Sequence, residues 1–271
     1  MIRTAITIAL VPQARQGPFV FHGDLAGSVK KAAALGFDAV EVFPPSAEAL
    51  DVAELRALLG DHGLRLAGVG TGAGWVVHKL TLVEADAGPD RRARAFVEAL
   101  MDVAGELGAP VIIGSMQGRH GEADRADTLA RLAARLHDLG GRAKRYGVPL
   151  LYEPLNRYET DLFNRQSEAA DWLRGSGVGN VKLLCDLFHM NIEESDVAAA
   201  LRRVGDVLGH VHFVDSNRRA PGMGHTDFGP IVRALRDVKY AGYASAECFP
   251  FPDPDTAARQ TIDTYRRLFD I

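Results

Sequence analysis

A chain of 271 residues, 47% of them hydrophobic, carries enough apolar material for one large core or two ordinary ones. Its 31 Lys and Arg are intermixed with 35 Asp and Glu for a formal charge of -4, so the basic footprint of a DNA, RNA or anionic-membrane binder is missing and a small molecule is the expected partner. Cys185 and Cys248, its two cysteines, sit in apolar surroundings and exclude a disulfide framework or a thiolate zinc site.

In chain order, apolar periodicity predicts a strand over 4–11, a helix over 24–35 stopped by Gly36, and a second strand over 37–43. Ser46 is the expected cap of the next helix, which carries Leu50, Leu55, Leu58 and Leu59 and ends at Gly60 or Gly63. A third strand spans 64–69. After a glycine-rich stretch, a helix over 90–107 places Phe96, Leu100, Val103 and Leu107 at helical spacing. Strand four covers 110–114, and a long helix over 124–146 shows Leu129, Leu132, Leu136 and Leu139 on one side. The fifth strand, 148–153, leads into a loop with Asn156, Arg157, Tyr158 and Glu159. A short helix over 167–173, strand six over 181–185, a helix over 195–204 and strand seven over 207–214 follow. The chain closes with a helix over 228–238, strand eight over 243–247 and a helix over 255–269.

These eight strand–helix alternations, with short turns before strands and longer loops after them, are the pattern of a single (β/α)8 TIM barrel occupying 1–271, an α/β fold whose chemistry sits on the loops after the strands. A doubly wound sheet would place a phosphate-binding glycine loop after an early strand. Gly68, Gly70, Gly72 and Gly74 alternate without that spacing or an immediate helix. The first residues lack the basic segment, apolar core and cleavage site of a signal peptide, and no later run approaches a membrane span, so a soluble cytoplasmic protein is expected.

Glu153, Asp186, His212 and Glu247 each stand at or near the end of a separate apolar run. A carboxylate in such a setting requires a charge partner, hydrogen bonds or a metal. Taken singly, each has a structural reading: a buried ionic partner for Glu153 or Glu247, a helix cap for Asp186, a satisfied core imidazole for His212. Brought to one barrel rim, the four form a pocket for one divalent ion, Mn, Co or Zn by the mixed donor set, with Mg admitted by its oxygens. Such an ion withdraws charge from a ketose carbonyl and stabilises a cis-enediolate, while Glu153 and Glu247, on different strands, serve as acid and base. Return of the proton to the same carbon is epimerisation. Return to the neighbouring carbon is aldose–ketose isomerisation, and both stay open on these residues alone.

His189, three residues after Asp186, and Arg218, six after His212, are expected to bond substrate oxygens, as is Glu159. Asn156, Arg157 and Arg219 are candidates for holding those loops in place. Phe43, Trp75, Phe188, Phe213 and Phe249 are candidates to wall the sugar face, with barrel packing as the competing role. No cluster of Lys and Arg accompanies the strand ends, which favours an unphosphorylated sugar.

The stretches EPLNRYE (153–159) with Asn164, DLFHMNIEE (186–194), HFVDSNRRAPG (212–222) and AECF (246–249) resemble the xylose-isomerase-like TIM barrels, in particular the ketose 3-epimerases of the tagatose and psicose type, over nearly the whole chain. That resemblance implies Glu153, Asp186, His212 and Glu247 as metal ligands, with Mn foremost among Mn, Co and Mg. It implies Glu153 and Glu247 as the acid/base pair, Glu159, His189 and Arg218 as sugar-binding groups, a keto-sugar substrate epimerised at C3, and a homodimer or homotetramer. The chain departs from the family in carrying Asp215-Ser216 where a Gly-Glu pair is usual, and in the segment 223–227, where His225 and Asp227 either shape the pocket's far end or cap the next helix. Relatives with the same cluster include hydroxypyruvate isomerases, inosose isomerases or dehydratases and keto-glycoside lyases. A metal-dependent endonuclease barrel and a noncatalytic sugar-binding barrel rank lower.

Overall fold

Alternation along the strands sorts this chain into an inside and an outside, and the computed structural model, which describes residues 1–270, shows how. Strands β1 (Arg3–Ala9), β2 (Phe21–His22), β3 (Ala39–Phe43), β4 (Arg65–Gly70), β5 (Val111–Ile113), β6 (Leu150–Tyr152), β7 (Val181–Asp186), β8 (Leu208–His212) and β9 (Tyr243–Ala246) are all parallel. Pairing runs β1-β3-β4-β5-β6-β7-β8-β9 and returns from β9 to β1, which closes an eight-stranded barrel. The two-residue β2 continues along β1 beyond the last residue that β9 pairs.

Helices α1 (Leu25–Leu35), α2 (Val52–Asp61), α3 (Ala73–Val76), α4 (Ala87–Glu106), α5 (Arg125–Lys144), α6 (Gln166–Gly175), α7 (Leu187–Glu193), α8 (Val197–Val204), α9 (Phe228–Asp237) and α10 (Pro254–Phe269) complete the fold. The large core lies between barrel and helices and takes the outward residues, such as Ile6 and Ile8 of β1 and Val40 and Val42 of β3. Inward residues form separate small clusters. Ala5, Ala39 and Ala67 fill the bottom of the barrel; Ile112, Leu151 and Leu184 form a second group, and Ala9, Phe19 and Phe43 a third.

The eight predicted alternations are all present, with edges moved by a few residues. Ser46 is not the cap expected: it precedes a 3-10 turn (Ala47–Ala49) without a side-chain bond, and Asp51 caps α2 by accepting from the Glu54 N–H at 2.9 Å. Three elements have no counterpart in the periodicity. β2 and α3 are too short to show a period, and α7 starts on the residue after β7 with no loop to announce it. Among the described residues, no helix is long and apolar enough to cross a membrane.

The segment that feeds β6 and β7 depends on a close approach. A Cβ on Gly140 of α5 would lie 2.4 Å from the Gly179 carbonyl oxygen, and Asn180, at φ 57°, donates to the carbonyls of Gly140 and Val148 at 2.9 Å each. Backbone on both sides leaves little to yield. Gly140→Ala is expected to cost about 1–3 kcal/mol and to lower Tm by roughly 2–10 °C, read by thermal denaturation; an unchanged Tm would show that the contact relaxes freely.

Candidate active site

Four neighbouring strand ends deliver one side chain each. Register sets Asp186 of β7 beside His212 of β8, and His212 beside Ser245 of β9. Glu153 stands one residue past β6, where its N–H donates to the Ile113 carbonyl at 3.0 Å. Glu247 stands one residue past β9, just after the Ala246 carbonyl, which accepts from Thr7 Oγ1 of β1 at 2.8 Å. The point where Glu247 leaves the sheet is thereby tied across the barrel seam.

His212 Nδ1 lies 3.6 Å from Glu153 Oε1, 3.7 Å from Asp186 Oδ2 and 3.7 Å from Glu247 Oε2. One ligand atom from each of the four falls within 4.8 Å of the others, and all four residues are buried. Glu153 Oε1 and His212 Nδ1 have no hydrogen-bond partner. A buried orphan atom is costly, and two that share one point, among oxygen donors, fit a divalent cation with mixed carboxylate and imidazole ligation.

The electrostatics point the same way. Burial pushes the Glu153 carboxyl well above its ordinary range, with Glu247 and Asp186 adding to the rise against the pull of His212 and Arg218. Burial also raises Glu247, opposed by Arg218 and His212. Burial would raise Asp186 too, but His189, His212 and Arg218 outweigh it and leave the carboxyl low. For His212 burial favours the neutral ring, yet Glu41 and Glu247 overcome it and hold the imidazole well above its usual value. Negative charge is in excess around this point, and the excess that draws a proton to His212 also draws a divalent cation, which a neutral imidazole and ionised carboxylates would ligate.

Above the cluster opens a cavity of about 350 Å³ lined by Glu153, Glu247, Glu159, His189 and Arg218, with Val11, Phe19, Phe43, Val76 and Ile112 as its apolar wall. Asp186 does two things here: Oδ1 caps α7 through the Phe188 N–H at 2.8 Å, and Oδ2 faces His212. Because α7 begins there, His189 comes round within the first turn to the same side, its Nε2 3.6 Å from Asp186 Oδ2. Asn156 Nδ2 donates to His189 Nδ1 at 2.7 Å, so the proton sits on Nε2, buried and without a partner. Burial holds this ring down to about 4, and it is neutral near pH 7. Asn156 also donates to Glu159 at 2.9 Å. Arg218 sits at φ 57° with its guanidinium 4.9 Å over the Phe188 ring, and it donates to Glu247 and, at 3.5 Å, to Asp186.

A profile of the xylose isomerase-like TIM barrel family matches residues 29–268. The chain belongs to that family. A D-psicose 3-epimerase of Agrobacterium fabrum is 33% identical over 230 residues, covering 82% of this chain and 78% of that one. An L-ribulose 3-epimerase of Mesorhizobium japonicum is 31% identical over 237 residues, covering 86% and 78%. A crystal structure of a D-psicose 3-epimerase in the presence of D-fructose superimposes with a TM-score of 0.79 at 26% identity, over 98% of this chain and 99% of that one.

Within this xylose isomerase-like barrel, Glu153, Glu159, His189, Arg218 and Glu247 line one cavity, and Asp186 and His212 lie buried against Glu153 and Glu247. The aromatic wall does not. Phe43 lines the cavity, but Phe213 points outward into the core against Phe228, Tyr265 and Phe269, because its neighbour His212 points inward. Phe188 lies under Arg218, Phe249 faces a separate surface hollow, and Trp75 lines the cleft next door. Arg157 braces its loop through Glu193 (2.9 Å), and Arg219 stacks on Phe251 outside the cavity. Asp227 caps α9 through the Gly229 N–H, and His225 Nδ1 meets Ser216 Oγ at 2.8 Å; neither lines the cavity.

Two residues escaped the sequence reading. Glu41, fully buried inside the barrel on β3, is 2.9 Å from His212 Nε2 and 2.8 Å from His210 Nε2. A carboxylate there accepts only, so Nε2 of His212 carries the proton and Nδ1 is left as the lone-pair donor. Burial would raise Glu41, but His212 and His210 outweigh it and keep it ionised. The signal was present as a lone acid between valines, Val40-Glu41-Val42, and as the two-residue spacing of His210 and His212. Glu41→Ala is expected to weaken divalent-metal binding about 10–100-fold, measured by calorimetric titration with Mn; unchanged affinity would mean that His212 is oriented by packing alone.

Proposed function

We propose that this chain is a divalent-metal-dependent epimerase that inverts C3 of an unphosphorylated ketose, with residues 1–271 acting as one catalytic domain. The observation that carries the reading is that Glu153 and Glu247 both line the cavity while flanking the ligand cluster from β6 and β9, with Asp186 and His212 between them. Glu153, Asp186, His212 and Glu247 would hold a divalent ion, Mn in the first place with Co, Mg or Zn admitted by the donor set, and it would supply Lewis-acid polarisation of the ketose.

The protein groups do the rest. One of the two glutamates removes the proton from C3 as a carboxylate, and the other returns a proton to the opposite face of the resulting cis-enediolate as a carboxylic acid. Their surroundings separate them: Glu247 accepts from Arg218, whereas Glu153 Oε1 accepts from nothing, while burial raises both carboxyls. His189 Nε2–H, a neutral donor held by Asn156, is placed to bond the substrate oxygen on which charge develops. Arg218 offers its remaining N–H groups to hydroxyls, and Glu159 accepts from one. The apolar wall of Phe19, Phe43 and Ile112 keeps water from the reacting carbon.

Among the described residues, Arg218 is the only Arg or Lys lining the cavity, and Glu247 and Asp186 already hold it. That supports an unphosphorylated substrate. The named 3-epimerase relatives favour return of the proton to C3 over transfer to the neighbouring carbon. The reading carries with it a cytoplasmic enzyme working as a homodimer or homotetramer.

Incubating the Mn-loaded protein with D-fructose or D-psicose in deuterated water is expected to place deuterium at C3 and to yield the C3 epimer. Glu247→Gln and Glu153→Gln are each expected to reduce exchange by about a hundredfold to ten-thousandfold at saturating Mn, with bound metal assayed in parallel. Aldose product carrying deuterium at C2, with C1 label in the recovered ketose, would make the chain an isomerase. Undiminished turnover in either variant with metal bound would remove that glutamate from proton transfer.

A further inference from the structure

A second cleft, of about 430 Å³, opens beside the catalytic cavity, and Ser115 and Glu159 line both. Trp75 and Tyr158 stand on it with 41% and 75% of their surface exposed. The polar groups around it are Glu84, Thr81 and Arg119. Arg119 makes one bond, to the Tyr158 carbonyl, and pairs with no carboxylate among the described residues, which leaves the other N–H groups of its fork for vicinal hydroxyls. Two acids and one arginine give no excess of positive charge, so the cleft suits a neutral polyhydroxylated ligand and not a phosphate.

The walls are braced before any ligand arrives. Thr160 Oγ1 donates to the Gly118 carbonyl at 2.9 Å, and Asp161 accepts from the His120 and Gly121 N–H groups at 2.7 and 3.1 Å, which locks the loop after β5 to the loop after β6. On the other side the Lys79 amine lies 4.9 Å over the Trp75 ring, while Lys79 itself does not line the cleft. Large aromatic surfaces beside hydrogen-bonding groups, held in place and open to solvent, match a sugar ring, which has an apolar C–H face and a polar edge.

We propose that this cleft is a subsite for a second sugar: the ketose turned over in the catalytic cavity carries a glycosidic substituent whose ring lies against Trp75 and Tyr158, reached past Glu159. The chemistry at C3 rests on the epimerase reading above; the subsite rests on the cleft. Free ketose leaves it filled with water, whereas a keto-disaccharide fills both chambers.

The probes are α-glucosyl-(1→6)-fructose and α-glucosyl-(1→4)-fructose, both of which keep the C3 hydroxyl free, against D-fructose, all on the Mn-loaded full chain. Trp75 and Trp172 are the only tryptophans, and Trp172, half-buried on α6, packs against Phe163 away from the cleft. At least one disaccharide is expected to change the fluorescence saturably, fructose not, and Trp75→Phe to abolish the change. In the double variant Trp75→Ala/Tyr158→Ala the ratio of disaccharide to fructose kcat/KM is expected to fall about tenfold, as two aromatic contacts of ordinary size supply. Fluorescence blind to both disaccharides, or an unchanged ratio, overturns the subsite while C3 exchange on fructose leaves the epimerase reading intact. Saturable binding without exchange on any sugar keeps the subsite and removes the epimerase reading. Shielding of Trp75 from acrylamide in step with dimerisation overturns the subsite and assigns the aromatics to an interface between copies.

Discussion

Three carboxylates around one imidazole nitrogen, all out of water, set the terms for the rest of this barrel. The ligand oxygens of the three acids lie within 4.8 Å of one another, a separation at which charges of one sign repel strongly where the dielectric is low. Arg218 answers part of that charge and a divalent cation fits the remainder. Each neighbouring feature then has a reason: Glu41 fixes the tautomer of His212, Asn156 fixes that of His189, and both rings present a single defined nitrogen to the same space. An open sheet would not hold four such ends together. Closure through the β1–β9 pairing brings the exits of β6 and β9 to within one cavity, with β7 and β8 between.

How much of this the sequence shows depends on where along a strand a residue lies. Glu153 and Glu247 were legible because each stands where an apolar run stops, and a charged residue there marks a rim. Asp186 was legible for the same reason, though its competing role as a helix cap turned out to hold as well: one oxygen caps α7 and the other joins the cluster. Glu41 was lost because it sits mid-strand, where a run of apolar neighbours conceals which face is inside. Parallel strands buried on both sides blur the period-two signal. Once His212 is taken as inward, however, the rule recovers His210 as inward and Phe213 as outward, so the choice of packing over cavity wall for Phe213 was recoverable from the sequence. Trp75 was not, since it lies on a single helical turn whose direction no period announces.

Glycine at Gly70 shows a tighter form of the same constraint. A Cβ there would lie 2.1 Å from the Phe43 ring, so the aromatic wall of the cavity exists only because β4 ends without a side chain at that point. Of the alternating glycines of 68–74, Gly70 thus permits a ring packed against backbone, while Gly68 and Gly74 make room for Ile112 and Met116. The longer loop between β1 and α1 contributes Val11 and Phe19 to the same wall.

The departure from the family pattern at Asp215-Ser216 falls in the scaffold and not in the ligand set. Asp215 is buried and accepts from the backbone N–H groups of Ser216, Gly222 and Thr226 at 2.8, 2.7 and 3.0 Å, three donors that a loop would otherwise leave unpaired. Its carbonyl receives the Arg218 N–H, and the Arg218 carbonyl in turn receives the Phe249 N–H, both at 2.8 Å. The left-handed backbone of Arg218 is thus held from both sides, by the loop after β8 and by the exit of β9, two residues past Glu247. The acid of Asp215 thus bears on Arg218 through the loop backbone it holds. Because the same chain segment anchors Arg218 and leaves Glu247 free to reach it, the contact between guanidinium and carboxylate is set by backbone hydrogen bonds, and this is what distinguishes Glu247 from Glu153 in an otherwise matched pair.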